Sequence, residues 1–408
     1  MPAQPGTMKR ILFVDDDPSL LEALRRMLRP QRARWETMFA GGGEDALRML
    51  ELSPFDVVVT DMRMPGMDGA QLLERVRDRF PGVVRIVLSG YCEMASTLRA
   101  VPVAHQFLQK PCDAGSLVQA IERACGLSSA LQDEAIRRIV GAVGELPCLP
   151  RTSAALMQAL DDPDVPATRI GHIVEQDVAI SAKVMQLVNS AFFGRSQTVT
   201  AIAHAVAFLG VEVLKHLVVT AEVFRAFQPR RNIDGFSLDR IQRHSYLVAA
   251  IVARLPLPKT VAPAAAIAAL LHDAGKLVMA ARLPEQCERI SRLALAEHLT
   301  FHVAEVQVLG VSHAEIGAYL LALWGLPAPV VSAVARHHRP AVEEGDDPRF
   351  GAPAAVYFAD ILAHEREPAS DCGSCDGMPS IDQEYPRALG MENQIAVWRG
   401  YAETAEAP

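Results

Sequence analysis

The sequence has no excess of positive charge, no membrane-length apolar run, no secretory leader and no cysteine framework. Lys and Arg number 40 against 48 Asp and Glu, a net charge of −8. Nucleic-acid binding rests largely on neutralising phosphates, so this balance gives no electrostatic reason to expect it. Nor is there a helix-turn-helix pattern with a basic recognition helix, and we expect no DNA partner. No apolar run reaches the roughly 20 residues that cross a bilayer. The first residues, "MPAQPGTMKR", lack the apolar core of a signal peptide. The expectation is a cytoplasmic protein with no membrane partner. Seven cysteines are scattered over Cys92, Cys112, Cys125, Cys148, Cys287, Cys372 and Cys375. An odd number, mostly in apolar contexts, suits a reducing compartment. The one close pair, "CGSC" at Cys372–Cys375, has no second pair of ligands nearby to make a zinc knuckle.

What is present is ample apolar material. Half of the 408 residues are hydrophobic and 22% are charged, which describes a folded chain of two or three domains. From Met8 to about Gly126, β-like runs alternate with amphipathic helix-like ones. The strand candidates are "RILFV", "WETMFA", "DVVVT", "RIVLS" and "QFLQK"; helical spacing marks "SLLEALRRML", "GAQLLERVRDRF" and "SLVQAIERAC". Such alternation predicts a parallel sheet with helices on both faces.

Polar residues cluster at the predicted strand ends. Asp15 and Asp16 follow the first strand, Asp61 the third, Ser89 ends the fourth and Lys110 the fifth. Ligands of open α/β sheets bind at the carboxyl ends of strands. Carboxylates converging there repel one another unless a cation joins them, and Mg²⁺ is the natural hard partner. Asp61 could then attack a phosphoryl donor, Lys110 pair with phosphoryl oxygens and Ser89 donate to the new phosphate. The plainer alternative is that the aspartates merely cap helices. Caps alone do not place Lys110 and Ser89 on the same rim.

The motifs "VDDDP", "VVVTDMRMPGMDG", "VLSGY" and "FLQKP" resemble the receiver domain of two-component response regulators over nearly all of residues 8–126. The resemblance implies a flavodoxin-like α/β domain with a five-stranded sheet in the order 2-1-3-4-5. It implies phosphorylation of Asp61. Mg²⁺ would be held by Asp15, Asp16, Asp61 and the carbonyl of Arg63, with Ser89 and Phe107 as switch positions. No histidine-kinase-like segment occurs in the chain, so the expected donor is a sensor histidine kinase, a phosphotransfer protein or a small molecule.

Residues 127–145 read as a linker whose middle, "ALQDEAIRRIVGAV", has helical spacing. From Leu146 to about residue 365 strand alternation disappears and helical runs punctuated by Pro and Gly predict an all-α domain. Its second part carries His244, His272, Asp273, His313, His337, His338 and Asp360 on five predicted helices. A bundle can aim such side chains at one point, and imidazole with carboxylate suits Mn, Fe, Ni or Zn. Each histidine taken alone reads as a core residue, and "HH" before Arg-Pro could simply end a helix. The run "ALLHDAGKLVM" tips the balance, because it puts His272 and Asp273 where packing wants no polar group. Buried unpaired, they would cost several kcal/mol. The other histidines, 172, 204, 216, 298, 302 and 364, show no grouping and read as structural.

This half resembles the HDOD family, output domains related to the HD superfamily of metal-dependent phosphohydrolases. The similarity is carried by "LPCLP", "EQDVAISAKVMQLVNSAFFG", "AVAFLG", "LLHDAGKLVM", "HAEIGAYLLALWGLP" and "AVARHHRP". It is also similar to the HD-GYP phosphodiesterases of cyclic di-GMP. That likeness implies metal ligation by the seven His and Asp residues and a substrate-phosphate contact from Lys276. The loop after "HH", however, reads "RPAVEEGDDPRFGAP" and lacks Gly-Tyr-Pro. HDOD domains are generally viewed as regulatory. The expectation is therefore a phosphorelay regulator whose helical half contacts a downstream protein or a nucleotide; the second expectation is a receiver-gated metal-dependent phosphohydrolase. The tail, 366–408, is rich in Pro, Gly and Asp and is expected to be flexible.

Overall fold

The computed structural model describes residues 8–90, 99–127, 134–143, 146, 150–160, 162, 165–190, 199–220, 237–339, 350–366, 381–382 and 384–405. The five predicted strands form: β1 Lys9–Val14, β2 Trp35–Ala40, β3 Val57–Asp61, β4 Val84–Gly90 and β5 Gln106–Lys110. They make one parallel sheet in the order β2-β1-β3-β4-β5. The central strands are apolar on both faces, with Ile11, Leu12, Val57 and Val58 fully buried, as covering by helices on both sides requires. Helices α1 Pro18–Met27, α2 Gly43–Leu52, α3 Gly69–Arg79 and α4 Ala114–Leu127 provide that cover. Local signals start them. Asp17 caps α1 with Pro18 in its first turn, and Asp68 and Gln71 close a capping box on α3.

The linker contributes α5 Glu134–Gly141. Its last carbonyl, Gly141, accepts from Arg85 Nη2 at 2.6 Å and lies 3.1 Å from His105 Nε2. A buried strand arginine thus satisfies an orphan helix C-terminus. Burial lowers the Arg85 guanidinium to about 9.

The helical half follows as α6 Pro150–Leu160, α7 Ala167–Glu175, α8 Val178–Val188, α9 Ile202–Thr220, α10 Leu238–Val252, α11 Ala262–Leu271, α12 Ala274–Arg282, α13 Pro284–Glu297, α14 Phe301–Leu309, α15 His313–Leu323, α16 Ala328–Arg336 and α17 Ala352–Arg366. Helices α10, α11, α16 and α17 pack around one centre, and α12 lies against α15. That last contact requires Gly275, since a Cβ there would stand 1.9 Å from the carbonyl oxygen of His313.

Two expectations need correction. The stretch Ala262–Arg282 does reach 21 residues, with a mean hydropathy of 1.4 over its most apolar 18-residue window, enough by length and composition to cross a membrane. Its most apolar window is 83% buried inside the protein, so its apolar surface is spent on the core. The second half of the tail is also ordered. Helices α18 Glu384–Ala388 and α19 Ile395–Glu403 return to α17, where Trp398 is buried and stacks on Phe350 at 4.9 Å. Polar composition hid one large aromatic anchor. Cys372 and Cys375 lie outside the described residues.

Candidate phosphoacceptor and metal centres

At the carboxyl edge of the sheet, β1 ends beside Asp15 and β3 ends in Asp61; the two are 4% and 7% exposed. Lys110, the last residue of β5, donates to Asp15 Oδ2 at 2.7 Å and also to Asp61 Oδ1. Arg63 meets the site through its backbone N–H, which donates to Asp61 Oδ2 at 2.7 Å. The Asp17 N–H donates to Asp15 Oδ1 at 2.9 Å. Burial raises the Asp61 carboxyl above its ordinary value, against the pull of Lys110. For Lys110 burial acts downward, but the bonds to Asp15 and Asp61 outweigh it and the net shift is upward. Asp16 is exposed beside the pair, Ser89 is buried at the end of β4, and Phe107 is fully buried in β5. Gly69 lets α3 start against this edge, because a Cβ would lie 2.1 Å from the Asp61 carbonyl oxygen.

The second centre lies in the helical half and is assembled from five helical regions. His244 comes from α10, His272 and Asp273 from the α11–α12 junction, His313 from the start of α15, His337 and His338 from the end of α16, and Asp360 from α17. All are buried except His338, which is partly exposed. His244 Nε2 is 2.8 Å from Asp360 Oδ1. His272 Nε2 is 3.6 Å from both Asp273 Oδ1 and Asp360 Oδ1. His313 Nε2 is 3.1 Å from Asp273 Oδ1, 3.3 Å from His337 Nε2 and 3.0 Å from His338 Nε2. Lys276 Nζ donates to Asp273 Oδ2 at 2.8 Å.

The ring orientations are informative. His272 Nδ1 lies 2.7 Å from the Ala269 carbonyl, and His337 Nδ1 lies 2.7 Å from that of Val334. His313 Nδ1 lies 2.7 Å from Glu305 Oε2, which also accepts from the His313 N–H at 2.7 Å. Each acceptor takes a proton from Nδ1, which turns Nε2 of each ring toward the centre. Nε2 of His313 and Nε2 of His337 face each other; burial acts downward on His313, but Glu305 and Asp273 outweigh it and the net shift is upward. Three sets of ligand atoms converge within 4.8 Å: His313, His337 and His338; His244, His272 and Asp360; and His272, Asp273 and His337. Among the described residues, His272 Nε2, Asp273 Oδ1 and Asp360 Oδ2 are buried without a hydrogen bond. Orphaned acceptors around a common point fit a cation.

Burial lowers His272 and drives His337 and His338 well below the usual imidazole value. Burial pushes Asp273 upward, but Lys276 and His272 overcome this and hold it well below the usual carboxylate range.

Three residues here were missed by the sequence reading. Glu305, on α14, is fully buried and orients His313. His364 follows Asp360 by one turn of α17 and places Nε2 3.5 Å from Asp360 Oδ1. His302 stacks on His338 with ring centroids 4.2 Å apart. His302 and His364 thus belong beside the cluster and are not isolated structural histidines. The spacings His302–Glu305 and Asp360–His364, at i+3 and i+4 on one helix face, were the available signal. His172 and His204 lie on exposed positions, and His298 ends α13 in the left-handed conformation. The segment after Arg339, where Gly-Tyr-Pro is lacking, and the side chain of His216 lie outside the described residues.

Comparison with known proteins assigns both halves. The response regulator receiver domain model matches residues 11–122, and the HDOD domain model matches residues 146–340. An uncharacterized protein of Treponema pallidum is 29% identical over 205 residues, 49% of this chain and 39% of that protein. The transcriptional regulatory protein GlrR of Escherichia coli is 34% identical over 131 residues, 32% of this chain and 29% of GlrR. The chain thus spans well under half the length of these relatives. Among solved structures, the MmoQ response regulator from Methylococcus capsulatus is 20% identical with a TM-score of 0.48, covering 62% of this chain and 98% of that one. The signal receiver domain of an HD domain-containing protein from Pseudomonas fluorescens is 28% identical with a TM-score of 0.29, covering 31% and 100%. The chain belongs to the response regulators of two-component systems, as a receiver domain joined to a C-terminal HDOD domain.

Proposed function

We propose that Asp61 is the phosphoacceptor and that its phosphorylation controls the helical half, which acts on a downstream protein or a nucleotide. The observation that carries this reading is the ion pairing of Lys110 with both Asp15 and Asp61 at one sheet edge. Asp15, Asp16, Asp61 and the Arg63 backbone carbonyl would hold Mg²⁺, which offsets charge on a phosphoryl group. An Asp61 oxygen forms the new P–O bond as the P–N bond of a phosphohistidine donor breaks and the imidazole leaves with a proton. Lys110 then pairs with the phosphoryl oxygens, and Ser89 donates to one of them. The donor is a sensor histidine kinase or a phosphotransfer protein. The test is labelling of the full chain with acetyl phosphate and Mg²⁺, read by intact mass. Asp61→Asn is expected to remove the added phosphoryl group to below detection; retained labelling at another residue would sink the assignment.

A second reading is favoured by the convergence of His313, His337 and His338 ligand atoms within 4.8 Å of one another. In it, His244, His272, Asp273, His313, His337, His338 and Asp360 hold Mn, Fe, Ni or Zn, and Lys276 receives a substrate phosphate. Such ions supply a hydroxide at neutral pH. Lys276 and His338, the partly exposed members of the cluster, would meet an anionic substrate first. Hydrolysis of bis(p-nitrophenyl) phosphate by metal-loaded protein, lost in Asp273→Ala, is the expected result. Bound metal without any phosphodiester hydrolysis would leave the ion a structural role.

A further inference from the structure

Helix α15 runs from the histidine centre to the receiver domain. Its first residue is His313, within 3.1 Å of Asp273. Its flank packs on α12, on the receiver's α4 and on the linker helix α5. At its other end the Leu323 carbonyl accepts from Gln106 Nε2, the first residue of β5, at 3.2 Å. The next residue, Trp324, is buried under Lys183, whose Nζ lies 4.0 Å from the ring centroid.

Lys183 and Gln186 belong to α8 and carry the clamp back to the receiver. Lys183 donates to the Val101 carbonyl at 3.3 Å and to Gln186 Oε1 at 3.0 Å. Gln186 Nε2 donates to the carbonyls of Ala104 and His105 at 3.2 and 3.0 Å. All three clamp side chains are buried: Gln106 is 8% exposed, Lys183 1% and Gln186 0%. Buried side chains that spend their donors on main-chain carbonyls of the other domain fix one geometry, because leaving those donors unmade is costly.

Strand β5 connects this clamp to the phosphoacceptor edge. It begins at Gln106, continues through the buried Phe107 and ends at Lys110, which is paired with Asp61. A phosphoryl group on Asp61 adds charge and acceptor oxygens within reach of Lys110, which draws on the end of β5. We propose that α15 is the coupling element: the receiver grips its C-terminal end through Gln106, Lys183 and Gln186, and phosphorylation loosens that grip and shifts His313 against Asp273. This deepens the receiver-control reading above and rests on it. A helix held at one end and carrying a cluster residue at the other can move as a unit, and both sites then bias the same element.

The test uses the full chain with beryllium fluoride and Mg²⁺ as the phosphoryl mimic, read by hydrogen exchange with mass spectrometry. Exchange in residues 178–188 and 313–326 is expected to rise at least threefold. The Gln106→Ala, Gln186→Ala double variant should show the raised exchange without the mimic and no further response to it. Gln106→Leu alone, near-isosteric and lacking the donor, gives the same comparison should the double variant not fold. No change anywhere in residues 146–366 on activation would overturn receiver control altogether. A change confined to other segments, or one kept intact in both variants, would overturn the clamp and leave receiver control standing. Zinc affinity, measured by equilibrium dialysis, should differ at least threefold between wild type and clamp variant. Equal affinities would show that the displacement does not reach His313, and absence of zinc binding by the wild type would remove the metal centre as its end point.

Discussion

The two centres solve the same electrostatic problem differently. At the receiver edge, Asp15 and Asp61 already share Lys110, and backbone N–H groups take other carboxylate oxygens. In the helical half, Lys276 takes one oxygen of Asp273, while His272 Nε2, Asp273 Oδ1 and Asp360 Oδ2 have no hydrogen bond among the described residues. A site that balances itself can wait for a transient ligand. A site whose buried His and Asp ligand atoms converge without such partners fits a cation.

The sharpest way to break this contrast is to remove the pair at the heart of the helical centre. His272→Ala with Asp273→Ala is expected to take bound transition metal from near-stoichiometric to near zero by elemental mass spectrometry, while acetyl phosphate still labels Asp61. Equal metal content in wild type and variant would erase the difference between the centres.

A smaller effect is expected at Glu305, which orients His313 through Nδ1. Glu305→Gln keeps the size but replaces one acceptor oxygen with a donor. Outer-shell partners of ligating histidines typically matter by about 10–100-fold in metal affinity. Chelator competition should show a loss in that range, with receiver labelling unchanged.

Both centres also rely on a glycine for backbone contact, Gly69 beside Asp61 and Gly275 beside His313. Gly275→Ala is expected to destabilise the helical half by about 1–3 kcal/mol in chemical denaturation, as overpacking typically does. A neutral result would mean that α12 and α15 can separate freely, contrary to the close approach seen.

The smallest effect concerns the joint between the halves. Burial holds His105 well below 6.5, with the charge of Arg85 acting in the same direction. A histidine with a depressed folded value contributes stability that is complete above pH 6.5 and is lost as pH falls below it. His105→Gln should therefore flatten the acid side of the stability profile by up to about 1.4 kcal/mol per pH unit. An unaltered slope would place the acid sensitivity elsewhere.

The receiver was legible because its signals are local and strand-terminal. A five-residue apolar run followed by Asp61 says where the carboxylate sits once the sheet is parallel, and Lys110 and Ser89 follow by the same rule. The helical centre was legible only in part. His272–Asp273 stood out as a polar pair in an apolar run, and the other members were carried by family likeness. His302, His364 and Glu305 escaped because their one local signal, a shared helix face at i+3 or i+4, is common to ordinary helix pairs. The tail was misread for a related reason: its average is polar, while a few buried residues, Trp398 and Tyr385 among them, pack it on α17.

The sequence by itself determined the five-stranded parallel sheet, the acid edge around Asp61, the change to an all-helical second half and most of its histidine cluster. These follow from periodicity and from short motifs that act within a few residues. Tertiary structure alone decided which histidines share a centre, which nitrogen of each ring faces it, and that Gln106, Lys183 and Gln186 join the halves. Those contacts link positions up to 217 residues apart. No local pattern encodes such distances; they exist only once packing has paid the entropy of closing the chain.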